Sequence, residues 1–407
     1  MKIVYLHQYF NTPQMAGSTR SYEMGRRLVS FGHEVHMVTS NWQKEHENTR
    51  AWFQTTEEGI IVHWLPLYYS NKMSYRERIN AFIKFAWKAS AKASSLKCDL
   101  IFASSTPLTI ALPAVYAAKK QRVPMVFEVR DLWPELPIAI GAIKNKAAIM
   151  AAIRLELFAY NNAEHIVALS PGMKEGVVKK GYPAEMVTVI PNSCDLELFD
   201  IGPEAGKSLR QQHSWLKDRP LVIYTGTIGT INGVDYLAKI AGVALDLDPE
   251  IVFLVIGSGN DEKRLIEEAE KQGVLGRNFV IMPGDVPKYE IPAWLSAADI
   301  ATSLFVNLEE MWANSANKFF DALAAGRPVA INYGGWQAGM LKETGAGLVL
   351  DPNDYEKSAF VLVEKIRDRK WLRAAGRAAR DLAEERFERN SLAGELEKVL
   401  LRAVEGS

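Results

Sequence analysis

The chain alternates short apolar runs with longer amphipathic segments, and this alternation limits its possible folds more than any other feature. In the first half, the apolar runs 2–7, 33–39 and 99–103 are separated by segments such as 18–31, whose apolar residues have helical spacing. Strands that alternate with helices in this way form parallel sheets covered by helices. A second series of the same kind starts at residue 221. The pattern predicts an α/β protein.

The length and the spacing of these series predict two domains. A chain of 407 residues is too long for one ordinary hydrophobic core. The polar stretch 200–207, with its Gly and Pro residues, is typical of an interdomain linker. We therefore predict a Rossmann-like N-terminal domain at 1–199, a Rossmann-like C-terminal domain at 200–385 and a helix at 386–407 that returns to the first domain. Facing sheets would place a ligand cleft at the carboxyl ends of the strands.

The composition excludes several classes of protein. Cys98 and Cys194 are the only cysteines and form no CxxC motif, so neither a disulfide framework nor a structural zinc site is indicated. The first apolar run is too short for a signal peptide. The apolar stretch around 108–118 contains Pro113 and is too short to cross a bilayer. We expect a cytoplasmic protein in a reducing compartment.

The two halves of the chain differ in charge, although the net charge is zero. Residues 1–200 contain 23 Lys/Arg and 18 Asp/Glu, whereas residues 201–407 contain 25 and 30. A basic first half favours an anionic partner, but a solvated surface would have the same composition. We expect no nucleic acid among the partners.

Two glycine-containing turns are candidate phosphate sites. The turn 10–20 leads through Gly17 into an amphipathic helix, whose first N–H groups and dipole suit a phosphate. Taken alone, this turn is better explained as a plain strand-to-helix connection, and it lacks the dinucleotide fingerprint GxGxxG. In the second half, Gly257 and Gly259 follow a strand, where backbone without a Cβ can approach a diphosphate.

The segment 315–329 is the most informative. Lys318 and Asp321 are three residues apart and therefore share one face of a helix, which Gly326 and Pro328 end before the next strand. At a helix start facing a cleft, Lys318 could hold a diphosphate and Asp321 could accept hydrogen bonds from ribose hydroxyls. The alternative is a surface ion pair that contributes less than about 1 kcal/mol.

This segment resembles the donor-binding signature of the retaining GT-B glycosyltransferases of family four, in which a Glu followed by Ala-Met-Ala-x-Gly-x-Pro-Val binds the ribose. The match places Asp321 at that Glu. Residues 32–35 with Thr39 are similar to the family's GHEVxVxT strand, and residues 190–195 to its IPNGVD. The resemblance spans nearly the whole chain. It implies the GT-B fold, a first domain for the acceptor, a second domain for a nucleotide sugar, and no metal or other cofactor.

Further motifs look like a narrower branch. Residues 128–135, the Ser-x-Asn-Lys run at 315–318, and the residues 226–229 with 232–233 resemble the bacterial L-fucosamine transferases of O-antigen and capsule assembly. This branch implies a UDP-linked donor, with N-acetyl-L-fucosamine or a related N-acetylhexosamine as the leading sugar. The acceptor in the resembled enzymes is commonly lipid-linked.

The chain departs from the wider family at charged positions. The family's phosphate-binding Arg and Lys correspond to Thr227 and Asn232, and the first Glu of its Glu-x7-Glu motif corresponds to Ala313. The cations near the site would then have to offset the diphosphate charge, and a neighbouring Glu would have to replace the missing carboxylate. The donor-binding residues implied by the resemblance are Gly17, Arg20, Thr227, Gly229, Asn232, Gly257, Gly259, Glu309, Glu310, Asn317, Lys318 and Asp321.

Arg130 and Asp131 occupy the position of the family's His-Asp pair. With Lys318 they form the predicted catalytic set, in which Asp131 orients the acceptor or sugar and Arg130 meets phosphate. A buried pair that only fixes the following Trp133-Pro134 turn is the alternative. His7 is a further candidate, although a lone His at a strand end is more often structural.

Residues 73–97 predict a basic amphipathic helix. Glu77 is the only acidic residue of this segment. The apolar residues Ile79, Phe82, Ile83, Ala86 and Trp87 have helical spacing. Such a helix suits an anionic bilayer surface, here the cytoplasmic face of the inner membrane, but a packed helix with a solvated basic face is also possible. The cations of the predicted membrane or acceptor surface are Arg76, Arg78, Lys84, Lys88 and Lys92.

Taken together, these observations predict a retaining, metal-independent glycosyltransferase. Two other functions fit the same motifs. One is a non-hydrolysing UDP-sugar epimerase, which shares the two-domain plan and the donor. The other is a sugar-nucleotide-binding or scaffold protein without catalytic activity.

Overall fold

The computed structural model describes residues 1–15, 17–41, 51–69, 73–284 and 286–406. It contains two compact units. The first comprises Met1–Thr12, Gly17–Pro191 and Asn390–Ser407, and the second is built on Asn192–Arg389. Each unit has its own sheet of mainly parallel strands covered by helices, so the predicted α/β class with two Rossmann-like domains is confirmed.

The first unit contains an eight-stranded sheet in the order β3-β4-β2-β1-β5-β6-β7-β8. All neighbouring strands are parallel except β3 and β4. The strands are β1 (Lys2–Leu6), β2 (Glu34–Asn41), β3 (Phe53–Glu57), β4 (Ile60–Pro66), β5 (Leu100–Ser104), β6 (Met125–Val129), β7 (His165–Ala168) and β8 (Val187–Val189).

Strand β3 was not predicted, because its sequence Phe-Gln-Thr-Thr-Glu is mostly polar and lies at the edge of the sheet. It pairs with β4 through a two-residue turn in which both Glu58 and Gly59 have positive φ, at 47° and 82°. Turns with two left-handed residues match the twist of a hairpin. The edge strand therefore depends on turn geometry more than on an apolar pattern.

The helices of the first unit connect these strands along the chain. From β4 to β7 the chain moves along the sheet in one direction, so right-handed crossovers place the connecting helices on one face. The helices are α1 (Arg20–Ser30), α2 (Tyr75–Ser95), α3 (Ala111–Gln121), α4 (Glu135–Ala139), α5 (Lys146–Tyr160) and α6 (Pro171–Lys179).

The second unit contains a fully parallel six-stranded sheet in the order β11-β10-β9-β12-β13-β14. Its core is formed by wholly buried side chains such as Tyr224, Phe253 and Phe279. The strands are β9 (Leu221–Thr225), β10 (Val252–Gly257), β11 (Phe279–Pro283), β12 (Ile300–Ser303), β13 (Val329–Ile331) and β14 (Gly347–Val349).

The predicted linker at 200–207 is wrong, because a helix, Gly202–Gln212, occupies most of it. Pro203 is accepted in the first helical turn, where its missing N–H costs no hydrogen bond. Gly206 is needed for close packing, since a Cβ there would lie 2.5 Å from the backbone of Ser296. The helices are α7 (Leu196–Phe199), α8 (Gly202–Gln212), α9 (Asp235–Leu247), α10 (Glu262–Lys271), α11 (Ile291–Ala297), α12 (Asn317–Ala324), α13 (Trp336–Thr344), α14 (Tyr355–Arg367), α15 (Arg369–Arg386) and α16 (Arg389–Glu405), of which α16 belongs to the first unit from Asn390 onward.

None of the helices in the described ranges is both long enough and apolar enough to span a membrane.

A buried ion pair ties the first unit together. The Arg20 guanidinium donates to Glu128 Oε2 through Nε at 2.9 Å and Nη2 at 2.8 Å, and it also donates to the carbonyls of Ile190 and Pro191. Burial alone would raise the pKa of Glu128, but Arg20 and then Arg130 hold that pKa below its usual value. The prediction that Arg20 meets the donor is therefore wrong, because its guanidinium is buried against internal acceptors.

We expect Arg20→Met to lower the free energy of unfolding by about 3–5 kcal/mol, since it leaves the Glu128 carboxylate buried without its cation. Lys207→Met is the matched control, because the Lys207–Glu204 pair is exposed and such pairs contribute little. Urea denaturation of both variants measures the difference. Equal stability of the two variants would contradict the structural role of Arg20.

Candidate active site

Lys318 lies in the first turn of α12 and contacts the end of β9. Its Nζ is 5.0 Å from the ring centroids of both Tyr224 and Phe305. The Asn232 amide, oriented by its hydrogen-bond partners, accepts from Lys318 Nζ at 3.0 Å and donates to the Thr227 carbonyl at 3.0 Å. The ammonium is thus held by two aromatic faces and one amide oxygen.

The electrostatics of Lys318 are unusual for a lysine. Burial lowers the pKa of its ammonium to about 7. Within the described part of the chain, Lys318 forms no ion pair with a carboxylate. A largely desolvated cation whose charge has no internal counterion is suited to an anionic ligand.

The two predicted glycines of the second unit have a packing role. A Cβ at Gly257 would lie 1.9 Å from the carbonyl oxygen of Gly226, and a Cβ at Gly259 would lie 2.1 Å from that of Ile228. The loops after β9 and β10 also share a hydrogen bond from Ile228 N to Ser258 O, at 2.8 Å. Backbone packing therefore requires glycine at both positions, and contact of this loop with the donor stays a prediction.

Asp321 is buried and does not pair with Lys318. Its carboxylate accepts from Lys288 Nζ at 2.5 Å, and that ammonium also lies 5.4 Å from the ring centroid of Phe199. The alternative of an exposed Lys318–Asp321 pair is therefore wrong. Lys288, in a short 3₁₀ turn after β11, was missed by the sequence reasoning. The sequence gives one local indication of a role for Lys288, its position shortly after the end of a strand. The ion pair itself has no local signal, because Asp321 is 33 residues away.

The remaining predicted donor residues are positioned as follows. Glu309 and Glu310 are exposed on the 3₁₀ turn Glu309–Ala313, and the structure shows no contact between either carboxylate and Lys318. Thr227 is exposed beside Asn232, and Asn317 is half-buried at the first position of α12. Gly229 precedes the 3₁₀ turn Thr230–Asn232, and a Cβ on Gly229 would lie 3.3 Å from the side-chain amide of Asn232.

In the first unit, Arg130 is held at the carboxyl end of β6. Its Nη1 lies 3.1 Å from His7 Nε2, and its Nη2 donates to Ser18 Oγ at 3.1 Å. Because a guanidinium can only donate, His7 Nε2 accepts from Arg130, and the proton of the neutral imidazole is on Nδ1, which contacts Ser21 Oγ. Burial, followed by Arg130 and Arg20, holds the pKa of His7 well below its usual value. A neutral His7 thus orients the Arg130 cation.

Gly17 lies in the turn before α1 and directly precedes Ser18, which contacts Arg130. Gly17 has φ +121°, which favours glycine, and a Cβ there would lie 2.7 Å from Asn11 Nδ2. Helix α1 begins at Arg20, three residues later. Ser18, between them, supplies the hydroxyl that Arg130 contacts.

Asp131 lies beside a strained residue. Its Oδ2 accepts from Thr106 Oγ1 at 3.3 Å, and Thr106 has φ +90°, a conformation that costs a β-branched residue about 1–3 kcal/mol. Burial raises the pKa of the Asp131 carboxyl, against the opposing effects of Arg130 and Thr106. Strain of this kind is concentrated at functional sites, which favours a role for Asp131 beyond fixing a turn.

Helix α2 is basic, but its cations are not equivalent. Arg76 and Lys84 are exposed, whereas Arg78 and Lys88 are half-buried. Lys92 Nζ lies 5.8 Å from the Trp52 ring centroid, and burial lowers the pKa of Lys92. The predicted stripe of Lys84, Lys88 and Lys92 is therefore not a uniform exposed row.

Across the described residues, no group of three or more His, Cys, Asp or Glu side chains is arranged to hold a metal ion.

Comparison with protein families identifies both halves of the chain. Residues 16–193 match the glycosyl transferase 4-like domain, and residues 207–382 match the glycosyl transferases group 1. The chain belongs to the group 1 glycosyltransferases. Each match covers most of one compact unit.

Two relatives extend over most of the chain. The Escherichia coli (strain K12) protein WcaI, named for a glycosyl transfer step of colanic acid biosynthesis, is 26% identical over 94% of this chain and 95% of its own length. A GDP-mannose-dependent alpha-(1-6)-phosphatidylinositol monomannoside mannosyltransferase of Mycobacterium tuberculosis (strain CDC 1551 / Oshkosh) is 22% identical over 72% of this chain and 73% of its own.

The solved structure of Anabaena HepE in complex with UDP and glucose has the same fold. It superposes with a TM-score of 0.70 over 99% of this chain and 100% of its own, at 18% identity. The predicted GT-B fold class is confirmed, with two α/β domains built on parallel sheets.

We expect Lys318→Met to raise the free energy of unfolding by about 1–2 kcal/mol at pH 7 without ligand, because it removes a desolvated cation. The folded pKa of about 7 lies below the unfolded value near 10.4, so the unfolded state binds more protons between these values. Stability should rise with pH across this window in the wild type, and this contribution should be absent from Lys318→Met.

Thermal and urea denaturation at pH 7 and pH 9 would measure both effects. Lys342→Met, at an exposed position of α13, is the matched control and should leave stability and its pH dependence unchanged. A Lys318→Met variant with the wild-type pH dependence would show that the ammonium is not desolvated.

Proposed function

We propose that this glycosyltransferase moves a sugar, with retention of configuration, from a UDP-sugar to a lipid-linked glycan at the cytoplasmic face of the inner membrane. The observation that carries the donor assignment is Lys318, a half-buried and desolvated cation at the start of α12 that forms no ion pair with a carboxylate of the described residues. A nucleotide diphosphate is an anion that would supply the missing charge.

The donor is held by the second unit in this proposal. Lys318 binds the diphosphate, helped by N–H groups at the start of α12, which no side chain caps. Asp321, held in place by Lys288, accepts hydrogen bonds from the ribose hydroxyls. Asn232 replaces a charged residue of the wider family by positioning the Lys318 ammonium. Either Glu309 or Glu310 contacts the sugar.

The transfer step needs no metal or other cofactor in this proposal. The acceptor hydroxyl oxygen forms a bond to the sugar's anomeric carbon on the face from which the diphosphate leaves. The bond between that carbon and the leaving phosphate oxygen breaks, and the hydroxyl proton passes to the same oxygen, so that UDP and the glycosylated acceptor are formed. Positioning and fixed charges supply the rate enhancement.

The acceptor is assigned to the first unit. Asp131 orients the acceptor hydroxyl or the sugar, and Arg130 meets a phosphate, its guanidinium fixed by neutral His7 and Ser18. The helix start near Gly17 supplies further N–H groups. N-acetyl-L-fucosamine, or a related N-acetylhexosamine, is the leading sugar because of the motifs shared with the L-fucosamine transferases.

Bacterial surface polysaccharide assembly, of O-antigen or lipopolysaccharide, is the proposed setting. WcaI is named for colanic acid biosynthesis, and the mycobacterial relative is named for a phosphatidylinositol-linked acceptor. The mycobacterial name specifies GDP, whereas HepE was solved with UDP. A thermal-shift screen of UDP, GDP and ADP therefore identifies the base, since a ligand specific for the folded state raises the melting temperature.

The family match does not favour the two alternatives, an epimerase and a non-catalytic binding protein. Incubation of the nucleotide sugar without acceptor separates the first, because an epimerase would convert the sugar with nothing else added. Incubation with a lipid-linked acceptor separates the second. Release of UDP with formation of a glycosylated lipid supports transfer, whereas nucleotide binding without product contradicts it.

We expect Lys318→Ala to lower kcat at least about a hundredfold while the protein remains folded, because the leaving diphosphate loses its cation. The reaction is followed by UDP release, and circular dichroism checks the fold. Lys342→Ala is the matched control and should retain full activity, as Lys342 is exposed on α13. Unchanged turnover in Lys318→Ala would remove Lys318 from the mechanism.

The affinity for UDP should depend on the protonation of Lys318. Since the free pKa is about 7 and a bound diphosphate favours the ammonium, we expect the affinity to fall by up to about tenfold per pH unit between pH 7.5 and 9. The phosphate itself is fully ionised in this range. Calorimetric titration at several pH values measures the slope.

Lys318→Arg tests the cause of this pH dependence. Arginine keeps its charge throughout the range, so UDP affinity in this variant should be nearly independent of pH. A variant that keeps the wild-type slope would show that another group takes up the proton.

A further inference from the structure

Helix α2 carries a row of large apolar side chains on its solvent side. Ile79 is 53% exposed, Ile83 57% and Trp87 72%, and these residues follow one another at intervals of four. The sequence pattern suggested a single apolar face that included them, but the inward face is formed by Phe85, Ala86, Ala89 and Ala93, which are buried. The helix is therefore apolar on two sides.

The neighbouring helices of the same layer carry similar residues. Helix α2 packs against α3, and α3 packs against α5. Leu112 and Tyr116 on α3 are 42% and 51% exposed, and Met150 on α5 is 50% exposed. Helices α2 and α3 both follow a strand end at the carboxyl edge of the sheet, and they pack against each other as parallel helices of one layer. We call this set of side chains the α2–α3 surface: Ile79, Ile83, Trp87, Leu112 and Tyr116.

Cations border the α2–α3 surface. Arg76 and Lys84 on α2 are exposed, as are Lys119 and Lys120 on α3. Lys88 Nζ lies 5.2 Å from the Trp87 ring centroid, and Lys120 Nζ lies 5.8 Å from that of Tyr116. Glu77 is the one acidic residue of α2 and is engaged in the capping box with Ser74, while α3 has no acidic residue. Exposed apolar side chains with flanking cations are complementary to an anionic lipid interface.

We propose that the α2–α3 surface inserts its apolar side chains into the interface of an anionic bilayer, with the flanking cations at the lipid headgroups. This inference rests on the proposed function, because it explains how the enzyme reaches a lipid-linked acceptor. It goes beyond a basic helix that lies on the membrane by charge alone. Insertion makes apolar burial the main contribution, so binding survives salt that screens the charges.

Co-sedimentation with vesicles tests the proposal. The full-length protein is mixed with vesicles of phosphatidylcholine containing about one third phosphatidylglycerol, at about 0.1 M and about 0.5 M NaCl. We expect the wild type to bind at both salt concentrations, with a several-fold loss at the higher one. The double variant Ile83→Glu/Trp87→Glu should bind at least about tenfold more weakly at both.

Two variants separate insertion from other causes. Phe360→Glu is the matched control, because Phe360 is also 57% exposed but lies on α14 of the second unit, and it should bind like the wild type. Lys84→Gln/Lys88→Gln should weaken binding at low salt and leave the binding at high salt nearly unchanged. Equal binding by the wild type and Ile83→Glu/Trp87→Glu would overturn the proposal.

A measurement of UDP binding distinguishes a failure of this proposal from a failure of the proposed function. UDP binding by Ile83→Glu/Trp87→Glu should equal that of the wild type, because the substitutions are on α2, which carries none of the residues assigned to the donor or to phosphate. Loss of vesicle binding with retained UDP binding supports the proposal. A concentration-dependent dimer that Ile83→Glu/Trp87→Glu abolishes, without wild-type binding to vesicles, would assign the surface to a second copy of the chain and overturn it.

Discussion

The second unit depends on the Lys318 ammonium, a desolvated cation that pairs with no carboxylate in the described ranges. Two aromatic rings and the Asn232 amide surround Lys318 Nζ, and burial lowers its pKa to about 7. Such an arrangement is unfavourable for folding and favourable for an anion, which is the usual conflict between stability and function. The loops around it are packed so tightly that Gly257 has no room for a Cβ against Gly226. The cation is thus fixed in place before any ligand arrives.

Two arginines of the first unit, Arg20 and Arg130, have opposite roles. Arg20 and Arg130 both lie near the carboxyl edge of the sheet, and both were candidates for phosphate binding. Arg20 is buried against Glu128 and two carbonyls and belongs to the core. Arg130 has only neutral hydrogen-bond partners, an imidazole and a hydroxyl, while the carboxyl groups of Glu128 and Asp131 act on it through the electrostatic field alone. Whether the partner is charged therefore separates a structural arginine from one that is available to a ligand.

Helix α2 shows the limit of periodicity as evidence for packing. Apolar residues at helical spacing predict an amphipathic helix, but the spacing does not distinguish a row that faces the core from one that faces solvent. Phe85 and Ala89 lie in the core, while Ile83 and Trp87 lie outside it. Only the neighbouring sheet and helix α3 decide which row is covered. Because Ile83 and Trp87 are exposed, the solvent side of this basic helix presents both charged and apolar side chains.

The sequence by itself determined the order of strands and helices, the parallel sheets and the position of Lys318 at a helix start, because strand and helix periods and helix-stop residues act over a few neighbouring residues. It could not reveal the edge strand β3, the helix at Gly202–Gln212, or the partners of the charged groups. Glu128 is 108 residues from Arg20 and Lys288 is 33 residues from Asp321, so only the tertiary structure brings them together. Burial, which sets the pKa of Lys318, is a property of all the surrounding elements and has no local signal in the chain.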